Sequence, residues 1–167
     1  EFKEKNRDVA FVDTPVLFKE YTTSSVIVME YIDGYAIDDK EHLLEDGYDM
    51  NEIGSKYVDN FIKQVMDDGF FHADPHPGNV RIRDGKIVWI DMGMMGRLTE
   101  RDREQIAKAV EGVALNDIGM IQDAVLALGE FRGEPDPSQL YKDIRGLMAK
   151  YGTADMGNID VAEVLQD

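Results

Sequence analysis

The sequence contains no cysteine among its 167 residues. It therefore cannot form a disulfide framework or a thiolate metal site, which is compatible with the cytoplasmic location that we expect. Long apolar runs are also missing, because no stretch approaches the roughly 18 apolar residues of a membrane span. No signal-peptide pattern opens the chain. Any membrane association of the parent protein would have to come from other segments.

Basic residues are scarce. Eighteen lysines and arginines face 34 acidic residues, which gives a formal net charge of −16. A surface this acidic argues against nucleic acid as a partner, because a polyanion requires clustered lysine and arginine. It also argues against electrostatic docking on anionic lipid. A phosphate-bearing substrate would need a divalent cation to offset the charge.

The start of the chain indicates a piece of a longer polypeptide. The first residue is Glu1, and the first methionine is Met29, inside a strand-like run. Motifs that are absent from this sequence are therefore expected upstream of it.

Residues 16–69 predict a hairpin followed by one long helix. Residues 16–21 and 26–32 are β-branched and aromatic runs joined by a polar tetrapeptide, which predicts an antiparallel hairpin. Residues 51–68 carry apolar side chains at spacings of three and four, which predicts an amphipathic helix. Asp49 is its expected N-terminal cap and Gly69 its expected C-terminal stop.

A second hairpin and several helices follow. Residues 80–83 and 86–90 alternate around the turn Asp84-Gly85, the strongest hairpin signal in the sequence. Thr99 with Asp102 predicts the start of a helix. Helical periodicity continues around residues 106–113, 118–128, 140–151 and 159–165. The predicted fold class is therefore α+β and mostly helical.

The loop between the long helix and the second hairpin has the sequence most typical of a functional site. Residues 72–79 read His-Ala-Asp-Pro-His-Pro-Gly-Asn. Two prolines and a glycine exclude a helix or a central strand here, so the segment is expected to be a rigid loop. Asp91 follows at the end of a predicted strand, and Met92 and Gly93 come directly after it.

These residue types match the needs of phosphoryl transfer to a hydroxyl. A carboxylate must orient the attacking hydroxyl and accept its proton, and oxygen ligands must hold magnesium. Asp74 is the expected base, and Asn79 and Asp91 are the expected metal ligands. Gly93 would let the chain turn away after Asp91.

Two other functions are compatible with parts of this pattern. His72, Asp74 and His76 alternate like the ligands of a metal-dependent hydrolase, but that interpretation leaves Asn79 and Asp91 without a role. A pseudokinase that binds nucleotide or a partner without transferring phosphate is the second possibility. Against it, an inactive site has no physical need for all three of Asp74, Asn79 and Asp91.

Residues 72–79, together with Asp91-Met92-Gly93, resemble the catalytic loop and magnesium motif of the UbiB-type atypical kinases, the ADCK family. Residues 28–34, Val-Met-Glu-Tyr-Ile-Asp-Gly, resemble the linker between kinase lobes. By that match Met29 is the gatekeeper, and Glu30, Tyr31 and Ile32 bind adenine. The resemblance implies ATP and Mg²⁺ as cofactors and a link to ubiquinone or other isoprenoid-lipid metabolism.

The resemblance also implies a domain organisation. Residues 1–33 would be the end of the kinase N-lobe, with a short β-hairpin and the hinge, and residues 34–167 the helical C-terminal lobe. The rest of the N-lobe would be a partner from the same polypeptide. The isolated fragment is accordingly expected to be inactive.

Departures from conventional kinases restrict the expected substrate. Ala73 replaces the arginine that reads a phosphorylated activation loop, and His76 replaces a phosphate-contacting lysine. His72 is expected to brace the backbone. Only residues 94–98 separate the magnesium motif from the next helix cap, which leaves no peptide-docking segment. A small-molecule or lipid-like substrate, or plain ATP hydrolysis, is therefore expected, with an aminoglycoside- or choline-kinase-type phosphotransferase as the alternative.

Overall fold

The chain divides into two units, Glu1–Arg97 and Leu98–Asp167. The computed structural model describes residues 1–131 and 133–151. The boundary predicted between residues 33 and 34 falls inside the first unit and stays a prediction. The helix predicted around residues 159–165 lies outside the described ranges. Along those ranges, no helix combines the length and apolar character needed to cross a bilayer.

The first unit is built from short strands and three helices. In chain order these are α1 (Phe2–Lys5), β1 (Val12–Asp13), β2 (Tyr35–Ala36), α2 (Lys40–Glu45), α3 (Met50–Lys63), β3 (Phe70–His72), β4 (Val80–Arg83), β5 (Lys86–Trp89) and β6 (Met95–Arg97). One sheet has the order β1-β5-β4-β2, with β1 parallel to β5 and the other pairs antiparallel. The other sheet pairs β3 with β6 antiparallel.

The hairpin of β4 and β5 is confirmed, and it supplies much of the core. Asp84 and Gly85 have φ values of 52° and 73°, the left-handed pair that a two-residue type I′ turn requires. The strands contribute fully buried Val80, Val88 and Trp89. Ile82 and Ile87 of the same two strands are also buried, and the helices and neighbouring strands complete the core with apolar side chains: Phe2, Val12, Leu43, Ile53 and Phe70.

The long helix has the predicted N-terminal cap and the predicted C-terminal stop. The Asp49 side chain accepts from the backbone N–H groups of Asn51 and Glu52, at 2.8 and 3.4 Å, and so caps α3. After Lys63 the helix widens into a π-helical turn, Gln64–Asp68. Gly69 then ends it in the left-handed conformation, with φ of 57°.

The first predicted hairpin is present only in outline. Residues 16–21 and 26–32 pair antiparallel around a bridge between Leu17 and Met29, which backbone hydrogen bonds flank on both sides. Lys19–Tyr21 forms a 3₁₀ turn where a strand was predicted. The apolar side chains of this segment are mostly exposed, with Ile27 at 72%. A two-stranded ribbon without a buried face is only marginally stable, which accounts for the short ladder.

The second unit consists of helices. They are α4 (Glu100–Leu115), α5 (Ile118–Leu128) and α6 (Pro137–Tyr151). Thr99 and Asp102 form the predicted capping box at the start of α4. Asn116 ends that helix in the left-handed conformation, with φ of 53°. The described chain is thus α+β and mostly helical, as predicted.

Candidate functional site

His72 is the buried residue at which the loop of residues 72–79 begins. It is the last residue of β3, it is only 1% exposed, and its ring lies 4.9 Å from that of Trp89 between centroids. Strand β6 continues the pairing beside it, because the backbone N–H of Ala73 donates to the carbonyl of Met94 at 2.9 Å. The loop therefore leaves the sheet at a residue that is fixed on both its backbone and its side chain.

The hydrogen bonds of the His72 ring join two parts of the predicted motif. The backbone N–H of Asp74 donates to Nδ1 at 3.3 Å. Nδ1 is therefore the unprotonated nitrogen, and Nε2–H donates to the backbone carbonyl of Asp91. Both ring nitrogens are used inside the protein, so His72 cannot also be a metal ligand. This geometry opposes the metal-dependent hydrolase.

Asp74 and Asn79 lie together at the other side of the loop. The carboxamide Nδ2 of Asn79 donates to the backbone carbonyl of Asp74 at 3.0 Å and to its Oδ2 at 3.1 Å. Pro77–Asn79 form a 3₁₀ turn that His76 caps, because its Nδ1 accepts from the backbone N–H of Gly78 at 3.0 Å. The exposed carboxylate of Asp74 is thus held by the residue five positions later.

The backbone of Asp91 is held by a hydrogen bond, whereas its side chain is exposed. Its carbonyl accepts from His72, and its Oδ1 accepts from the backbone N–H of Gly93 at 2.8 Å. No cluster of three or more His, Cys, Asp or Glu side chains suited to a metal occurs in residues 1–131 and 133–151. Magnesium is commonly held by only one or two carboxylates with further oxygen ligands, so a site made of Asp91 and the Asn79 carboxamide would not form such a cluster.

The four predicted adenine-binding residues lie in the exposed ribbon. Met29 and Tyr31 are 49% and 86% exposed, whereas Ile32 is buried. Glu30 accepts from Arg83 at 2.7 Å and from the backbone N–H of Val16 at 3.1 Å. The Arg83 guanidinium, with the Val16 N–H, lowers the pKa of Glu30. This ion pair ties the ribbon to β4, the strand that begins directly after Asn79.

Tyr57 supports the loop from the long helix. Its hydroxyl donates to the backbone carbonyl of Pro75 at 2.7 Å, and its ring stacks on Trp89 at 5.4 Å. Burial raises the pKa of Tyr57 to about 12. The phenol therefore stays neutral and remains a donor to the loop. In the sequence Tyr57 is one of the regularly spaced apolar residues of the predicted helix, a pattern that indicates packing in the core and not a hydrogen bond to the loop.

Two buried amides of the same helix also support the loop, and neither was predicted from the sequence. Gln64 Oε1 accepts from the backbone N–H of His72 at 3.0 Å, and Gln64 Nε2 donates to Asn60 Oδ1 at 2.8 Å. The signal was available, because Ile53, Tyr57, Asn60 and Gln64 follow one another at spacings of four, three and four residues. Two amides on an otherwise apolar helical face indicate buried polar partners.

Comparison with known proteins identifies relatives for most of the chain. A family model described as ABC1 atypical kinase-like domain matches residues 1–125. "Uncharacterized protein in hydrogenase 1 5′ region" of Clostridium pasteurianum is 38% identical over 99% of this chain. The Arabidopsis thaliana chloroplastic proteins ACTIVITY OF BC1 COMPLEX KINASE 8 and 7 are 35% and 28% identical over 77% and 86% of it. The chain spans 31%, 17% and 21% of the lengths of these three relatives.

Proposed function

Because the chain belongs to the ABC1 atypical kinase-like family, we propose that Asp74, Asn79 and Asp91 form the phosphoryl-transfer site of an ATP- and Mg²⁺-dependent atypical kinase or ATPase of UbiB type. The family confirms the resemblance drawn from residues 72–79 and 91–93. The chain spans less than a third of these relatives' lengths, so the activity proposed is that of the whole protein.

The observation that carries the proposal is the way His72 and Asn79 hold the two acidic residues. Asn79 turns its Nδ2 toward Asp74, which leaves the carboxamide oxygen available to a cation. His72 holds the backbone of Asp91, whose Oδ2 accepts no hydrogen bond from the described residues. Two oxygen donors of this kind fit Mg²⁺.

Each residue then has a distinct role. Asn79 and Asp91 would hold Mg²⁺, which when bound would neutralise the charge of the phosphates. Asp74 would orient the attacking hydroxyl and accept its proton as the phosphoryl group is transferred. The hydrogen bond from Asn79 fixes the Asp74 carboxylate in the orientation in which it would meet that hydroxyl. Met29, Glu30, Tyr31 and Ile32 would supply adenine contacts, together with the rest of the polypeptide.

The segment after Gly93 favours a small substrate. Met95–Arg97 pair with β3, and Thr99 already caps the next helix. No residues remain there for a long docking segment that could bind a peptide. We therefore propose a small-molecule or lipid-like acceptor, or water, and a link to isoprenoid-lipid metabolism that rests on the family resemblance.

The test is ATP consumption by the full-length protein. Asp91→Asn should lower turnover at least about 100-fold, because a metal ligand contributes at least as much as its supporting groups. Asp74→Asn should lower it by roughly 100- to 10,000-fold, the usual contribution of a general base. Asp84→Asn is the matched control, since Asp84 is an exposed turn residue whose left-handed conformation asparagine tolerates.

The outcomes separate the candidate functions. Turnover that is equal in the wild type and in Asp91→Asn would exclude catalysis by this site. Mg²⁺-dependent nucleotide binding without any turnover would instead identify a nucleotide-binding pseudokinase module. Transfer of phosphate to an aminoglycoside or choline would identify the alternative small-molecule phosphotransferase.

A further inference from the structure

A chain of buried amides runs from the first helix to the candidate loop. The backbone N–H of His72 donates to Gln64, Gln64 Nε2 donates to Asn60, and Asn60 Nδ2 donates to Asn6 Oδ1 at 2.7 Å. Asn6 Nδ2 completes the chain by donating to the carbonyl of Phe2 at 3.0 Å. Asn60 and Gln64 are 1% and 0% exposed.

The direction of every hydrogen bond in this series of amides is determined. The carbonyl of Phe2 can only accept, so Asn6 must present Nδ2 to it and Oδ1 to Asn60. Asn60 then presents Oδ1 to Gln64 and to the indole N–H of Trp89, at 2.8 and 3.0 Å. Gln64 is left with its oxygen toward the backbone N–H of His72. Only one orientation of the three amides satisfies all of them.

Gln64 occupies the point where the helix departs from α-helical geometry. It is the first residue of the π-helical turn Gln64–Asp68. Lys63 stabilises that turn, because its Nζ donates to both carboxylate oxygens of Asp68, at 2.9 and 2.8 Å, and to the carbonyl of Lys5 at 3.1 Å. Single π-helical turns occur frequently at functional sites. Here the turn places a glutamine against the residue that leads into the loop.

We infer that Gln64 is a positioning residue of the phosphotransfer site, an inference that rests on the proposed function. Gln64 fixes the backbone of His72, and the His72 ring in turn holds the N–H of Asp74 and the carbonyl of Asp91. The separation between the proposed base and the proposed metal ligand is therefore set by a side chain that contacts neither. Small displacements of reacting groups lower the rate of catalysis strongly. A contact that fixes the backbone of His72 therefore affects the rate through the positions of Asp74 and Asp91.

A role in packing alone would require different chemistry. An apolar side chain of similar size would fill the same space but would leave the buried backbone N–H of His72 without an acceptor, which costs stability. Stability alone therefore does not separate the two roles, whereas the state of the His72 ring and the turnover do. The variants below separate the two roles by keeping the volume and changing the hydrogen bonds.

The experiment compares variants in the full-length protein. Gln64→Met preserves volume but removes the acceptor for His72, and Gln64→Asn keeps the amide but shortens it by one methylene. Gln64→Glu, when its carboxyl is neutral, restores an acceptor for His72 and a donor for Asn60. Ile53→Ala is the control for destabilisation, because Ile53 is buried on the same helix and takes no part in the amide chain.

Two readouts are measured for each variant. The first is the ¹⁵N signal pair of the His72 imidazole, assigned by its loss in His72→Asn. The second is kcat and KM for ATP. Gln64→Met and Gln64→Asn should shift the His72 signals and lower kcat by roughly 10- to 100-fold, as loss of a supporting contact does, with KM little changed. Gln64→Glu should restore both readouts when it is compared with the wild type at a pH low enough to keep its carboxyl neutral. Ile53→Ala should change neither readout in the folded protein.

The imidazole signals keep this test independent of the proposed function. If the wild type shows no turnover but Gln64→Met shifts the His72 signals and Gln64→Glu restores them, the positioning contact stands while the enzymatic proposal fails. Unchanged His72 signals in Gln64→Met, or an equal shift in Ile53→Ala, would overturn the inference. Should Gln64→Met fail to fold, Gln64→Asn decides by the same criteria.

Discussion

The imidazole of His72 and the backbone carbonyl of Asp91 are joined by a hydrogen bond across 19 residues of sequence. The intervening chain contains the loop with Asp74 and Asn79 and the whole hairpin of β4 and β5. Closing this distance brings the proposed metal ligand back to the loop that holds the proposed base. Because its two strands run antiparallel and are joined by the tight turn at Asp84 and Gly85, the hairpin returns the chain to the loop at Asp91.

Replacing His72 tests how much this closure stabilises the first unit. His72→Phe keeps a ring against Trp89 but removes both nitrogens, which leaves the Asp91 carbonyl and the Asp74 N–H without their partner. We expect a loss of about 1–3 kcal/mol in the free energy of unfolding, the usual cost of unsatisfied buried groups. Urea denaturation measures it. His42→Phe is the comparison, because that side chain is 57% exposed and its pair with Asp39 lies at the surface, where such pairs contribute little. An equal loss there would contradict the assignment.

Replacing Tyr57 tests the support that the long helix gives to the loop. Tyr57→Phe keeps the stack on Trp89 and removes the donor to Pro75. We expect a loss of about 1 kcal/mol at neutral pH and faster amide exchange in residues 73–79. Tyr31→Phe is the matched control, because Tyr31 is 86% exposed, and its free energy of unfolding at neutral pH should match the wild type.

The same variant carries a pH test. Burial raises the pKa of Tyr57 from 10.0 to about 12, so the folded state favours the neutral phenol. This contribution is fully present below pH 10 and is lost as the pH rises toward 12, because the unfolded chain ionises first. Tyr57→Phe should therefore lose less stability than the wild type between pH 10 and pH 12. Parallel alkaline unfolding curves would contradict the role of burial.

Local signals were enough to predict the helix termini and the second hairpin. Asp49 and Thr99 accept hydrogen bonds from backbone groups two or three residues away. The turn at Asp84 and Gly85 depends only on two adjacent residue types that adopt positive φ values. The amide chain could not be predicted, because Asn60 meets Asn6 and Trp89, which lie 54 and 29 residues away. Spacing along the helix places Asn60 on the buried face but does not say what it meets there.

The residues proposed for the site could be chosen from the sequence, but the contacts that hold them in place could not. The loop residues Asp74 and Asn79 lie together because a 3₁₀ turn of three residues separates His76 from Val80. Strands β3 and β6 were missed because three residues are too few to show an alternating pattern. The hairpin predicted over residues 16–32 forms with less strand than predicted: its composition is typical of strands, but its side chains are mostly exposed and the paired region is short.

The ion pair of Glu30 and Arg83 gives a prediction in acid. Hydrogen bonds from Arg83 and Val16 lower the pKa of Glu30 below its ordinary value of 4.5. Its stabilising contribution is therefore present above pH 4.5 and is lost as the pH falls through the lower, folded-state pKa. Glu30→Gln should be less stable than the wild type at pH 7, and the difference should shrink by pH 3. Glu20→Gln, an exposed carboxylate of the same segment, should differ little at either pH.

Two glycines of the first unit should respond in opposite directions to alanine. A Cβ at Gly96 would overlap the ring of Phe71, which pairs with it across β3 and β6 and packs edge-to-face against Phe61 at 6.4 Å. A Cβ at Gly54, inside α3, would meet nothing within 4 Å. Gly96→Ala should therefore cost about 1–3 kcal/mol as an overpacked contact. Gly54→Ala should stabilise by about 0.5–1 kcal/mol, because alanine is the better helix former.

The effect of Gly96→Ala should also reach the site. Phe71 directly precedes His72 on β3, so a displaced Phe71 ring strains the strand that positions His72. We expect ATP turnover by the full-length protein to fall in Gly96→Ala and to stay at the wild-type value in Gly54→Ala, each measured under conditions in which the variant is folded. A fall of equal size in both would mean that turnover follows overall stability, and that the pairing of β3 with β6 does not position the loop.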